Sequence, residues 1–313
     1  MTRFLTTFKN IKLTGLDTSY LELMPGVCIT SSQEIRENMI TDLSKAAMGF
    51  IETETMYTAK AFVFFEFEDD VDMFKQLTHL QCLEMELLWV NDILKNSWIF
   101  MDNCIICDTA FLIDDDILTG KASSLRLQYT HTMANGQMQE VEFTKEDWIE
   151  CISIHNKMET YFHEKESGPF KFMLEKNFSR VSRALQFIKQ AREARNIPYK
   201  ITNYCTAMET LFTTENTELA HKLAERVAFF LRDKLNKLDT YKKIKKAYGI
   251  RSKLTHGASM EKKDIDLLPE LSTQTDEILR TAFRKIIDDP VLLELFDSSN
   301  EKIDRYFEEL MFS

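Results

Sequence analysis

Tyr248-Gly-Ile-Arg-Ser-Lys-Leu-Thr-His-Gly257 decides how the second half of this chain is read. The stretch sets an arginine and a histidine five positions apart, between the only two glycines of residues 169–313. The surrounding sequence has helical spacing, and glycine there is free to take the left-handed backbone that ends a helix. Gly249 is therefore expected to end one helix, and Gly257 to end the short helix or turn that carries the pair. A fixed guanidinium grips a phosphate bidentately, and an imidazole exchanges protons near neutral pH. Arg251 and His256 are thus the candidate pair for phosphodiester chemistry.

The spacing alone is not selective. Arg126-Leu-Gln-Tyr-Thr-His131 repeats it in an alternating, strand-like run, where residues an odd number apart face opposite ways. What sets the second copy apart is its surroundings. Residues 232–253 hold nine basic and two acidic side chains and lead straight into the motif, whereas the whole chain carries a net charge of −11. The imbalance lies in the first half, where residues 1–168 hold 13 Lys+Arg against 28 Asp+Glu. Residues 169–313 hold 26 against 22, so a polyanion is drawn to the second half and to the basic stretch within it.

Outward from the motif, apolar residues recur at three and four in one segment after another. Leu174, Phe178, Val181, Leu185 and Ile188 mark a helix that ends before Pro198. Ile201, Tyr204, Met208 and Leu211 mark the next, and Leu219, Leu223, Val227 and Phe230 a third. Leu271, Ile278, Leu279, Phe283 and Ile287 mark a long later helix with a turn or break at Pro269, and Asp289-Pro290 starts the last pair.

The first half reads differently. Phe8–Leu13, Val27–Thr30 and Ala61–Phe67 are strand candidates, with a helix over Ser32–Phe50 and a long buried one over Met73–Lys95. Strand signals return over Trp98–Leu112, Leu125–Thr132 and Met138–Phe143, with Asn135-Gly136 as a hairpin turn, and Thr144-Lys-Glu-Asp starts a helix. The charged Ser-Gly-Pro segment ending at Pro169 is the expected boundary. The reading is an α+β fold: a strand-containing domain over residues 1–168, with a sensor or regulatory role, and an all-helical domain over residues 169–313.

The N-terminus has no apolar signal run, and no stretch reaches the ~18–20 apolar residues of a membrane helix, so a soluble, cytoplasmic protein is expected. The six cysteines sit in apolar segments, as reduced core thiols do. Cys104-Ile-Ile-Cys107 has no second pair, and no His or carboxylate cluster has metal-ligand spacing, so neither metal nor cofactor is expected.

Three segments together resemble the HEPN superfamily in its ApeA-like branch: Tyr204-Cys-Thr-Ala-Met-Glu-Thr-Leu-Phe212, His221-Lys-Leu-Ala-Glu-Arg-Val-Ala-Phe-Phe-Leu231 and the opening stretch. The resemblance implies a compact, often dimeric helical bundle. It also implies a metal-independent RNA endonuclease of the kind found in phage defence, toxin–antitoxin systems or CRISPR effectors, with Arg251 and His256 as its active-site motif. The family often places Asn, Asp or His after the arginine, where this chain has Ser252.

With RNA as substrate, Lys242, Lys243, Lys245, Lys246 and Lys253 become the expected phosphate contacts, with Arg226 as an auxiliary one. Tyr248 and Ser252 flank the catalytic pair, and His221 and Glu225 form a structural i, i+4 pair. Five helical steps of ~100° put Arg251 and His256 about 140° apart. Either the arginine precedes the helix start, or each motif faces its copy across a two-fold axis, and a homodimer with a composite site is the expectation. The alternative is a catalytically inactive module that binds RNA, a nucleotide or a protein partner.

Overall fold

The computed structural model of the chain describes residues 1–67, 77–115, 120–128, 130–165, 178–215 and 218–312. Its architecture is α+β, an antiparallel sheet region followed by helices, and it divides into two compact units. The first comprises Met1–Ser97, Asn103–His131 and Gln139–His155; the second comprises Trp98–Asp102, Thr132–Met138 and Asn156–Ser313.

In the first unit the strands are β1 (Thr2–Phe8), β2 (Ile11–Thr14), β3 (Leu21–Met24) and β4 (Val27–Thr30). Helices α1 (Gln33–Met39), α2 (Asp42–Met48) and α3 (Phe50–Thr58) follow, then β5 (Ala61–Phe67), α4 (His79–Phe100), β6 (Thr109–Asp114), β7 (Ala122–Arg126) and β8 (Val141–Thr144). Six strands form an antiparallel sheet in the order β3-β4-β5-β1-β6-β7, while β2 pairs with β8 in parallel. The central strand β1 is buried on both faces, Arg3 excepted. Leu5, Phe62, Phe64, Phe111 and Ile113 pack with Ile40, Met48 and Met56 of the α1–α3 region. By the two-residue period, Thr2, Phe4, Leu112 and Asp114 share the opposite face.

Several expectations for this region need correction. The helix over Ser32–Phe50 is two short helices, with a third beginning at Phe50. Thr41 caps the second, accepting from the Ser44 N–H at 3.1 Å, and Gly49 at φ +79° turns the chain into the third. Trp98–Phe100 completes α4, and a strand begins only at Thr109. Asn135-Gly136 does make a tight turn, with the Gly136 N–H donating to the Met133 carbonyl at 2.8 Å. It is not a hairpin turn, because β7 ends at Arg126 and pairs with β6 while β8 pairs with β2. Thr144 is the expected cap of α5 (Lys145–Lys165): its hydroxyl accepts from the Asp147 N–H, and Asp147 returns the bond to the Thr144 N–H. All six cysteines are buried thiols, none in a disulfide, as expected.

The second unit holds α6 (Arg180–Glu193), α7 (Ile197–Phe212), α8 (Leu219–Phe230), α9 (Lys237–Thr255), α10 (Lys262–Asp266), α11 (Leu268–Asp288), α12 (Pro290–Phe296) and α13 (Asn300–Phe312). Part of its core is a cluster of edge-on rings, Phe212, Phe230 and Phe296, with centroids 5.3–5.5 Å apart. Two earlier stretches of chain complete it. The Trp98 indole donates to Asp276 at 2.7 Å and meets Phe283 edge-on, and the fully buried Lys200 ammonium donates to the carbonyls of Ala191 and Thr132. The expected boundary near residue 168, and the helical position Leu174, lie outside the described residues. No helix among the described residues is long and apolar enough to cross a membrane.

Candidate phosphodiester site on helix α9

Helix α9 begins where the Asn236 side chain accepts from the Asp239 N–H at 3.0 Å, and it buries Thr240, Ile244, Ala247 and Ile250 along one side. Those anchors carry it straight through Gly249, which ends no helix. A glycine costs a helix interior about 1 kcal/mol relative to alanine, less than burial of the flanking apolar side chains returns. Gly257 does act as foreseen. At φ +67° it follows the cap residue His256; its N–H donates to Leu254 at 3.3 Å and the Ala258 N–H donates back to Lys253 at 2.9 Å. This is the paired C-terminal closure that only a left-handed residue permits.

Arg251 lies inside the helix, not before its start, which removes the first of the two geometric options. Its Nη2 donates to Glu209 Oε2 of α7 at 2.9 Å, its Nη1 donates to the Tyr248 hydroxyl at 3.0 Å, and the guanidinium stands 5.0 Å from the centre of the Tyr248 ring. The Arg251 side chain is 26% exposed and that of Glu209 13%. Burial raises the Glu209 carboxyl above its ordinary value, even though Arg251 and Tyr248 both favour its charge. Burial and then the Glu209 charge push the Tyr248 phenol up to about 12. Glu209 sits within one of the segments that carried the resemblance, but nothing in its spacing marked it as the arginine's partner.

His256 is exposed, and its imidazole makes no hydrogen bond among the described residues; its backbone N–H donates to Ser252. Within one chain, then, Arg251 faces α7 and His256 faces solvent, and the structure does not bring the two side chains together. Ser252 is half-buried between them.

The lysines divide in the same way. Lys242 and Lys246 are exposed, Lys243 pairs with Asp239 at 2.7 Å, and Lys245 stands 5.5 Å over the Tyr241 ring. Lys253 reaches Asp264 at 3.6 Å. Two hollows flank the helix. One, of about 520 Å³, lies between Lys245, Tyr248 and residues 218–221; the other, of about 300 Å³, is lined by Lys246, Gly249, Lys253 and Asp264 among others.

Arg226 has a different use from the one expected. It ion-pairs with Asp304, donates to the Phe212 carbonyl at 2.9 Å and lies over the Phe307 ring, tying α8 to the end of α7 and to α13. His221 and Glu225 form the expected pair at 3.3 Å, and Nδ1 of His221 meets the Tyr241 hydroxyl at 2.9 Å. The decoy pair is split by the end of β7, with Arg126 exposed and His131 buried. Among the described residues no three His, Cys, Asp or Glu side chains converge as a metal-ligand group. Comparison with protein-family models, with curated proteins and with solved structures finds no match.

Proposed function

We propose that the chain is a metal-independent RNA endonuclease whose site forms when two copies of α9 meet, each contributing Arg251 and His256. One observation carries the reading: a solvent-facing imidazole ends a helix whose exposed side bears Lys242, Lys245 and Lys246, one turn beyond an arginine held in place by Glu209 and Tyr248. The divergence of Arg251 and His256 within one chain then becomes a reason for the dimer, since a two-fold axis sets the arginine of one copy beside the histidine of the other. The resemblance of this helix and its neighbours to HEPN ribonucleases points the same way.

RNA supplies its own nucleophile. One His256 imidazole takes the proton of the 2′-hydroxyl as that oxygen bonds to phosphorus. The P–O5′ bond breaks, and the departing oxygen takes a proton from solvent, to which the imidazolium later returns its own, leaving a 2′,3′-cyclic phosphate and a 5′-hydroxyl. Arg251 uses two of its five N–H groups on Glu209 and Tyr248 and turns the others to the phosphorane oxygens.

A second reading rests on the same ion pair. Arg251 as a strut between α9 and α7, with the lysine face binding RNA without cutting it, describes a non-catalytic module. Incubation of end-labelled RNA with the purified chain separates them. The nuclease reading predicts chelator-resistant cleavage leaving cyclic-phosphate ends, and a loss of roughly 10²- to 10⁴-fold in His256→Ala. Binding without cleavage selects the module.

A further inference from the structure

Within the first unit, the β6–β7 edge of the sheet brings together three residues that no sequence motif connects. Asp114 ends β6, and Ser123 lies on β7, the last strand of the sheet. The register sets Leu112 opposite Ser123, so Ser123 and Asp114 are diagonal neighbours on one face, a separation of ~7–8 Å. The ring of His79, first residue of α4, spans that gap. Its Nδ1 meets Ser123 Oγ at 2.8 Å and its Nε2 meets Asp114 Oδ1 at 3.1 Å.

The bonds around Asp114 settle which nitrogen carries the proton. Its Oδ1 also accepts from the Thr2 hydroxyl at 2.8 Å and its Oδ2 from the Lys121 N–H at 3.1 Å. Burial works against its charge, but these donors and His79 together hold the carboxyl below its ordinary value. An ionised carboxylate can only accept, so Nε2 is the protonated nitrogen and Nδ1 is left to accept from the Ser123 hydroxyl. A nucleophile hydrogen-bonded to a base, itself oriented by a half-buried acid, is the arrangement that activates a serine. The start of α4 adds donors. Thr78 and Gln81 cap each other, while the N–H groups of His79 and Leu80 have no hydrogen-bond partner among the described residues.

We propose that Ser123, His79 and Asp114 form a serine-nucleophile site for carboxylic esters, independent of the α9 site. The Ser123 oxygen bonds to the ester carbonyl carbon as its proton passes to Nδ1 of His79. The carbonyl–oxygen bond to the alcohol then breaks, and the alcohol leaves with that proton. Water repeats the sequence on the acyl-serine, releasing the carboxylic acid and restoring Ser123. Asp114 holds the imidazolium in both halves and touches neither reactant, so it is a positioning residue.

The test is covalent labelling of the full chain with a fluorophosphonate, read by intact mass and peptide mapping, beside hydrolysis of p-nitrophenyl acetate. The expected result is one adduct on Ser123, none in Ser123→Ala, and rates roughly 10²-fold or more lower in His79→Gln. Ser123→Ala should leave RNA cleavage unchanged. Because the six native cysteines are buried, Ser123→Cys offers the only accessible thiol, and iodoacetamide should alkylate it faster with His79 present than in Ser123→Cys/His79→Gln. No adduct on Ser123, or labelling and alkylation rates that ignore His79, overturns the proposal.

Discussion

Helix α9 and the β6–β7 sheet edge hold their polar residues in opposite ways. Arg251 and His256 are five residues apart and the structure turns them away from each other, one toward Glu209 and one toward solvent. His79, Asp114 and Ser123 are spread over more than forty residues, yet the structure closes them into a chain of two contacts of about 3 Å. Nearness in sequence is a statement about helical angle, not about contact. On the reading proposed above, the motif along one helix is completed by a second copy, whereas the residues gathered across strands already touch within one chain.

The widest break in that comparison comes from removing the sheet region altogether. Residues 169–313 alone lose Trp98, which is 1% exposed and bonded to Asp276, along with the Thr132 carbonyl that receives Lys200. Loss of a buried tryptophan alone costs ~3–5 kcal/mol, against a total stability of ~5–15 kcal/mol. The fragment should show no cooperative thermal transition by circular dichroism. A sharp transition would mean that the helical unit does not depend on those segments.

Arg251 is next. Arg251→Ala strands the Glu209 carboxylate in a site with 13% exposure and should cost about 1–3 kcal/mol in denaturant melts, whereas His256→Ala, on an exposed cap, should cost a few tenths. Adding Glu209→Gln to Arg251→Ala should recover part of the loss. Equal effects for Arg251 and His256 would erase the distinction between the inward and outward halves of the motif.

The two carboxylates respond oppositely to pH. Glu209 is held high by burial, so its contribution is full below the unfolded value of ~4.3 and is lost as pH rises through the folded one. Asp114 is held low by the hydrogen bonds that outweigh its burial, so its contribution is full above ~3.9 and is lost as pH falls through the folded value. Thermal midpoints should show Glu209→Gln gaining on the wild type as pH rises above about 4, while the deficit of Asp114→Asn closes on acidification below about pH 4. The smallest effect belongs to the exposed lysines. Lys242→Glu with Lys246→Glu should flatten the salt dependence of RNA binding by roughly 0.7 in slope per lost single-strand phosphate contact, leaving thermal stability within ~0.5 kcal/mol.

Much of the scaffold could be read from the chain, because its signals are periodic. The aromatic-rich run Ala61–Phe67 is a strand, Thr144 and Asp289 cap the helices they precede, and the apolar stripes of α7, α8 and α11 are the buried ones, Leu219 at the start of α8 excepted. What escaped was set by tertiary contact. The partition of Ser32–Phe50 depends on a threonine cap and a glycine turn that leave the apolar spacing undisturbed, and β8 finds a parallel partner instead of its hairpin neighbour. At the site, Arg251 and His256 stood out, but Glu209 looked like any helical acid and Arg226 like a free cation. His79, Asp114 and Ser123 carried no signal, since only strand register and the start of α4 bring them together.

Mixing two inactive variants tests the central claim most directly. Arg251→Ala in the Glu209→Gln background and His256→Ala should each fail to cut RNA as homodimers. After subunit exchange, a shared site predicts that the mixture regains roughly a quarter of wild-type cleavage, because half the dimers are mixed and each holds one intact site of two. A mixture that stays inactive although exchange is demonstrated, or a wild-type monomer that cuts at full rate, would contradict it.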